Sequence, residues 1–258
     1  MSPKKMSSRP IISIAYSTLA DRVANIKFPA PNPDQEILVL VQNEDDNSYV
    51  LGSTTAKLIE LKSRGVAKSR NAAIDRASGK YLMFADDDIT LNESGIESAI
   101  RYLEENPDCD IILAQAMDES DVLRKKYFPA ITSLRLTNSA RAATYEMIIR
   151  LDAVRKSGLR FDENFGAGAK FYLGDEYIFI ADALRAGLKG IHFPTVIAVH
   201  PKESSGSRWG TEVDLSARSQ VFARVFGWRA PIYRLAFILR GNNPFPGLRK
   251  AVRFVVNR

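Results

Sequence analysis

Three consecutive carboxylates, Asp86, Asp87 and Asp88, follow the apolar run Tyr81-Leu82-Met83-Phe84-Ala85. That run is long enough for one buried strand, so the three side chains stand where the strand stops. In open α/β sheets ligands bind outside the carboxyl ends of the strands. Clustered Asp side chains there are hard oxygen ligands suited to Mg²⁺ or Mn²⁺ bridging a diphosphate. The competing reading is a solvated acidic turn ahead of the next helix. A second acidic pair, Asp175-Glu176, opens a predicted helix running to Gly187. Acidic residues in a first turn favour the helix dipole, so the pair has a structural use whether or not it does chemistry. Adjacent helical side chains diverge by about 100°, which predicts that only one of the two faces a given site. His200 ends an apolar run from Ile191 as the Asp cluster ends its own, and is a candidate metal ligand, whereas His192 is read as structural.

The elements that must position these groups alternate. Ile11 to Tyr16 reads as a buried first strand and Glu36 to Gln42 as a second, richer in β-branched residues. Between them Phe28-Pro29-Ala30-Pro31-Asn32-Pro33 tolerates no helix, so the first crossover is short. Asn43 to Asn47 makes a polar loop after the second strand, placed either to hydrogen-bond a base or simply to face solvent. Val66 to Ala77 is a predicted helix that carries Arg70 and Asn71 and stops at Ser78-Gly79. A helix capped by Asn92 or Ser94 puts Ile96, Ile100 and Leu103 on one face, and Asp110 to Ala116 is the next strand. Thr144 to Ile149 reads as a strand leading into a short helix at 152–157. The alternation predicts a mainly parallel, doubly wound α/β sheet.

Composition bounds the class. The chain has 258 residues, enough for one large α/β domain, with an ordinary hydrophobic fraction of 45%. Its net charge of +6 is uneven: from Pro201 onward there are eleven basic and three acidic residues, a net +8 that leaves −2 for the remainder. One cysteine, Cys109, excludes an intrachain disulfide and points to a reducing compartment. The basic start is followed by an apolar run too short for a signal peptide, and Pro231 to Leu239 is too short to span a bilayer. A cytoplasmic protein is expected. In the tail, Val221, Phe222, Val225 and Phe226, then Ile232, Leu235, Ala236 and Leu239, fall at helical spacing among arginines. They predict either helices packed on the rest of the chain or on another subunit, or a basic amphipathic surface near anionic lipid. No recognised nucleic-acid motif accompanies the charge.

Gly65-Val66-Ala67-Lys68-Ser69-Arg70-Asn71, then Ala77-Ser78-Gly79-Lys80-Tyr81, then Phe84-Ala85-Asp86-Asp87-Asp88 resembles the signature of family 2 glycosyltransferases of the GT-A fold. Gly174-Asp175-Glu176 with Arg185-Ala186-Gly187 is similar to the family's Gly-Glu-Asp helix, and the resemblance spans roughly Ile11 to His200. It implies a GT-A catalytic domain over residues 9–205 and a basic helical extension over 206–258. Asp86 and Asp88 match the Asp-x-Asp that holds Mn²⁺ or Mg²⁺, and His200 falls where some GT-A enzymes supply a further ligand. Tyr16, Gln42, Asn43, Arg70, Asp86 and Asp87 match positions against the nucleotide sugar, with uridine the default base. Glu176 and Asp175 occupy the catalytic pair with the two acids exchanged, and either is a candidate base. A Pro-containing turn and an Asp-rich loop common in the family are replaced by Tyr16-Ser17-Thr18 and Gln42-Asn43.

The resemblance implies a metal-dependent, inverting, hexosyltransferase-like enzyme. It would move sugar from a nucleotide diphosphate to the hydroxyl of a glycan or lipid-linked acceptor in polysaccharide synthesis. The loop 201–210, with Lys202, Ser204, Ser205, Gly206 and Arg208, would close over the diphosphate or merely connect. Three competitors are weighed against it. A sugar nucleotidyltransferase would want glycines after the first strand, where Tyr16-Ser17-Thr18-Leu19-Ala20 has none. A non-catalytic carbohydrate-binding or scaffolding protein would have lost one of the acidic motifs. A metal-dependent phosphohydrolase gives Arg70 and Gly174 no role.

Overall fold

The computed structural model describes residues 9–53, 55–201, 209–240 and 244–256. The fold is built on one nine-stranded sheet in the order β3-β2-β1-β4-β8-β6-β9-β5, with β7 paired to β9. Strands β1 (Ile12–Leu19), β2 (Gln35–Gln42), β3 (Lys57–Leu61) and β4 (Tyr81–Asp86) run parallel. β6 (Ile111–Met117) and β9 (Gly190–Val199) form a second parallel pair. Between the two blocks lies β8 (Met147–Arg150), antiparallel to both β4 and β6. The short strands β5 (Thr90–Leu91) and β7 (Thr132–Ser133) flank β9.

Helices cover both faces, as buried central strands require. The 3₁₀ turn Ala20–Asn25 and the apolar stripe of α2 (Glu93–Glu105), with Ile96, Ala99 and Leu103, close one core. Asn92 caps α2, its side chain accepting from the Gly95 amide. The other core is closed by α1 (Val66–Arg76), α3 (Leu151–Lys156) and α4 (Asp175–Arg185), around Phe84, Phe161 and Phe179. A third cluster joins α4 to α5 (Glu212–Phe226) through Ile178, Ala181, Val221 and Val225. The tail helices α6 (Ala230–Leu239) and α7 (Leu248–Val256) pack on α5 and on each other.

Two readings change. The predicted strand 144–149 is a 3₁₀ turn over Thr144–Glu146 followed by β8, whose antiparallel course interrupts the parallel sheet. β3 carries no apolar run, because an edge strand with mostly exposed side chains needs none. The segment 202–208, and with it Lys202, Ser204, Ser205, Gly206 and Arg208, lies outside the described residues. Cys109 is buried, and burial pushes its thiol up to about 11, as a small core residue rather than a reactive one.

Candidate active site

The carboxyl ends of β1, β2 and β4 open into one cleft of about 730 Å³. Parallel register sets Ser17 beside Leu40 on one side and Asp86 on the other, so β4 ends two residues short of β1 and β2 and its acidic turn lies beside their ends. Thr18 donates to Asp87 at 2.7 Å, and the Arg22 guanidinium pairs with Asp87 and reaches Asp88 at 3.4 Å. Asp87 is thereby consumed by protein partners and shapes the turn, leaving its two neighbours facing the cleft.

Asp88 Oδ1 is buried and has no hydrogen-bond partner. Opposite it, 3.6 Å away, stands His200 Nε2. His200 Nδ1 lies 2.7 Å from the Pro201 carbonyl, a contact that requires the proton on Nδ1, so that in the neutral tautomer the Nε2 lone pair is directed toward Asp88. The ring is fixed by stacking on Tyr145 at 4.7 Å. An orphaned carboxylate oxygen facing an imidazole lone pair suits a hard or borderline cation. Among the described residues no three His, Cys, Asp or Glu side chains gather into a full cation cage. Any ion held here would take further ligands from phosphate and water, as Mg²⁺ commonly does.

Arg70 joins the two acidic motifs. Buried on α1, it ion-pairs with Asp175 on α4 and approaches Asp86 Oδ1 at 3.5 Å. Its neighbour Asn71 locks the turn before α4, donating to the Phe161 carbonyl at 3.0 Å and accepting from the Phe161 amide at 2.8 Å. Gly166 (φ 96°) lets the preceding loop approach, since a Cβ there would sit 2.7 Å from Asp175 Oδ1. Both Asp175 and Glu176 line the cleft, so the expectation that only one faces it fails: α4 begins here, and its first turn points end-on at the site. Their surroundings differ. Asp175 is held by Arg70, while burial, and after it the charge of Asp175, raises Glu176 well above the usual carboxylate range. Burial likewise raises Asp86, against the pull of Arg70.

Two expected nucleotide contacts are elsewhere. Tyr16 is fully buried, edge-on to Phe28 in the core, because alternation along β1 turns it away and presents Ser17 instead. Asn43 is buried and shapes its own loop, donating to the Asn47 carbonyl and accepting from the Asn47 amide. Gln42 does line the cleft and accepts from the Gly65 amide at 2.7 Å, at the start of α1. Sequence reasoning missed Thr18, Arg22, Arg124, Tyr145 and Tyr172 in the lining. Only Arg22, in the short crossover after the first strand, carried a signal.

A sheet whose strand ends gather an acidic turn, an imidazole and a helix-borne carboxylate pair has the arrangement that the resemblance to GT-A glycosyltransferases leads one to expect. The model of glycosyl transferase family 2 matches residues 15–162, more than half of the chain, and the chain belongs to that family. No curated protein matches it. Among solved structures it resembles TarS of S. aureus, with a TM-score of 0.58 and 13% identity over 88% of this chain and 42% of that one. It thus spans less than half of that TarS chain. TarS 1–349 in complex with UDP gives 0.56 and 14%, covering 92% and 72% of the two chains. The TarS 1–349 complex with UDP-GlcNAc gives 0.55 and 14%, covering 88% and 70%. At such identities the likeness is one of fold.

Proposed function

We propose that this glycosyltransferase transfers a sugar from a nucleotide diphosphate, by default a UDP-sugar, to an acceptor hydroxyl with inversion. The observation that carries the reading is Arg70, which ties Asp86 at the end of β4 to Asp175 at the start of α4. One side chain thus sets donor-side and acceptor-side carboxylates in one cleft. That structures of similar fold hold UDP and UDP-GlcNAc supports the donor class.

Asp88 and His200, with Asp86 behind them, would hold Mn²⁺ or Mg²⁺, which when bound supplies positive charge to the departing diphosphate. Gln42 and Arg70 flank the donor, and Asp87 acts through Thr18 and Arg22 by holding the acidic turn in place. Glu176 is the base. Its raised pKa brings it toward neutrality, where a general base is most effective, whereas Asp175 is tied to Arg70 and positions. The acceptor oxygen forms its bond to the anomeric carbon as the carbon–phosphate-oxygen bond breaks. The hydroxyl proton passes to the Glu176 carboxylate and the bonding pair leaves with the diphosphate.

Residues 9–205 make the catalytic domain and 206–258 an extension. Synthesis of a polysaccharide or glycoconjugate, in the cytoplasm at the inner face of the membrane, fits the basic tail. Isothermal titration with UDP and with GDP, with Mn²⁺ and then EDTA, tests the donor site. We expect Mn²⁺-dependent binding of one nucleotide, lost in Asp88→Ala. Binding of neither nucleotide with Mn²⁺ would return the acidic turn to a structural role.

A further inference from the structure

The outer surface of α6 is apolar from end to end. Its one charged residue within the helix, Arg234, is buried, donating to the Ser219 carbonyl at 2.7 Å and to the Val255 carbonyl at 3.1 Å. What remains outside is Ile232, Leu235 and Leu239, which are 65%, 49% and 73% exposed and recur at helical spacing. Trp228, 82% exposed, stands just before the helix with the Arg229 guanidinium 5.0 Å over its ring. On α7, Leu248, Val252 and Val256 repeat every four residues and are likewise exposed.

The charges carried by α6 and α7 have one sign. After Asp214 the chain has no acidic residue and nine basic ones. Arg218, Arg224 and Arg253 pair with carboxylates, whereas among the described residues no ion pair involves Arg229, Arg240 or Arg249. Two of these bracket α6 and the third lies beside the α7 stripe. A second copy seated on this face would set unpaired arginines against arginines with no acid in the segment to meet them. A surface of anionic headgroups over acyl chains answers both features: charge for the arginines, and an apolar layer for the leucines, with tryptophan at the boundary. Among the described residues no helix is long and apolar enough to cross a membrane, so the fit is to lying on the surface.

We infer that the α6–α7 face docks on an anionic lipid bilayer. It deepens the membrane placement proposed above but does not depend on the chemistry of the cleft. α5 carries both tail helices and packs on α4, so the docked surface is joined through one helix to Asp175 and Glu176.

The full chain is spun down with vesicles of phosphatidylcholine, and with vesicles of equal phosphatidylcholine and phosphatidylglycerol. We expect sedimentation with the anionic vesicles, weakening as salt rises. Leu235→Glu should weaken it at least tenfold. Arg229→Gln with Arg240→Gln should weaken it about thirtyfold, since each arginine near such a surface contributes about fivefold. Both variants should keep the melting temperature and the nucleotide titration. Equal binding by wild type and Leu235→Glu, or none to anionic vesicles, overturns the inference. So does a dimer seen by light scattering that Leu235→Glu dissolves while vesicles are ignored. Nucleotide titration is read separately, so failure here leaves the donor site standing.

Discussion

Asp175 and Glu176 are neighbours in the chain with opposite fates, and the difference lies in who stands beside each. Arg70 neutralises Asp175, and Glu176, in the same low-dielectric pocket with Asp175 next to it, is pushed toward its neutral form. Glu176→Gln should therefore lower kcat about 10²–10⁴-fold while UDP affinity measured by titration holds. Activity should rise with pH as Glu176 loses its proton. Stability moves the other way. A carboxyl whose folded pKa is raised favours folding fully below its unfolded value, and that contribution is lost as pH rises through the folded value. Glu176→Gln should flatten this decline, so melting curves at alkaline pH should place the inactive variant above wild type. A variant that melts lower at alkaline pH would mean that Glu176 is ionised and paired in the resting protein.

At the scale of elements, a close approach fixes where α4 begins. Gly174 has φ 89°, and a Cβ there would lie 2.5 Å from Val221 Cγ2 on α5. Gly174→Ala should cost about 1–3 kcal/mol for strain alone. Adding Val221→Ala should return part of the loss to the Gly174→Ala background in a double-mutant cycle of thermal melts. Additive losses would show that the α4–α5 contact is not what excludes the side chain. The second element device is Glu36 at the start of β2. Burial pushes its pKa up, but Lys57, Ser13 and Ser78 outweigh it and bring the value down to about 2. This carboxylate ties β1, β2 and the turn before β4 together. With the folded pKa depressed, its stabilisation of roughly 3 kcal/mol is present above an unfolded pKa of about 4.3 and lost as pH falls toward about 2. Urea titrations of Glu36→Gln should show a deficit at neutral pH that shrinks on acidification. An unchanged deficit at low pH would assign it to lost packing instead.

For the whole molecule, charge is partitioned: carboxylates gather at the strand ends and α4, arginines on the tail helices. The two ends should answer differently to solution conditions. Raising salt should release the protein from anionic vesicles well before it unfolds, because screening acts on exposed charges and far less on the buried Arg70–Asp175 pair. EDTA should abolish nucleotide binding and leave vesicle binding intact. Loss of both on chelation would mean that tail and cleft share a cation.

Much of the architecture was legible in the chain itself. Buried strands such as Tyr81–Asp86 announce themselves as apolar runs, and helix ends as Asn92 and Gly79, because local sterics and period decide them. The Asp cluster, the helix carboxylates and His200 drew attention for the same reason, each standing at the end of such an element, whereas Arg70, in the middle of α1, did so only by its place one helix ahead of the acidic strand end. Chain order alone could not show that β8 would insert antiparallel between β4 and β6, since pairing depends on distant strands. Nor could residue type show that Tyr16 turns into the core while Ser17 faces out, which follows from one register. Above all, tertiary packing decided what each acid is. Arg70 meets Asp175 across a separation of 105 residues, and that contact, with the burial it imposes on Glu176, sets apart two carboxylates that sequence left equivalent.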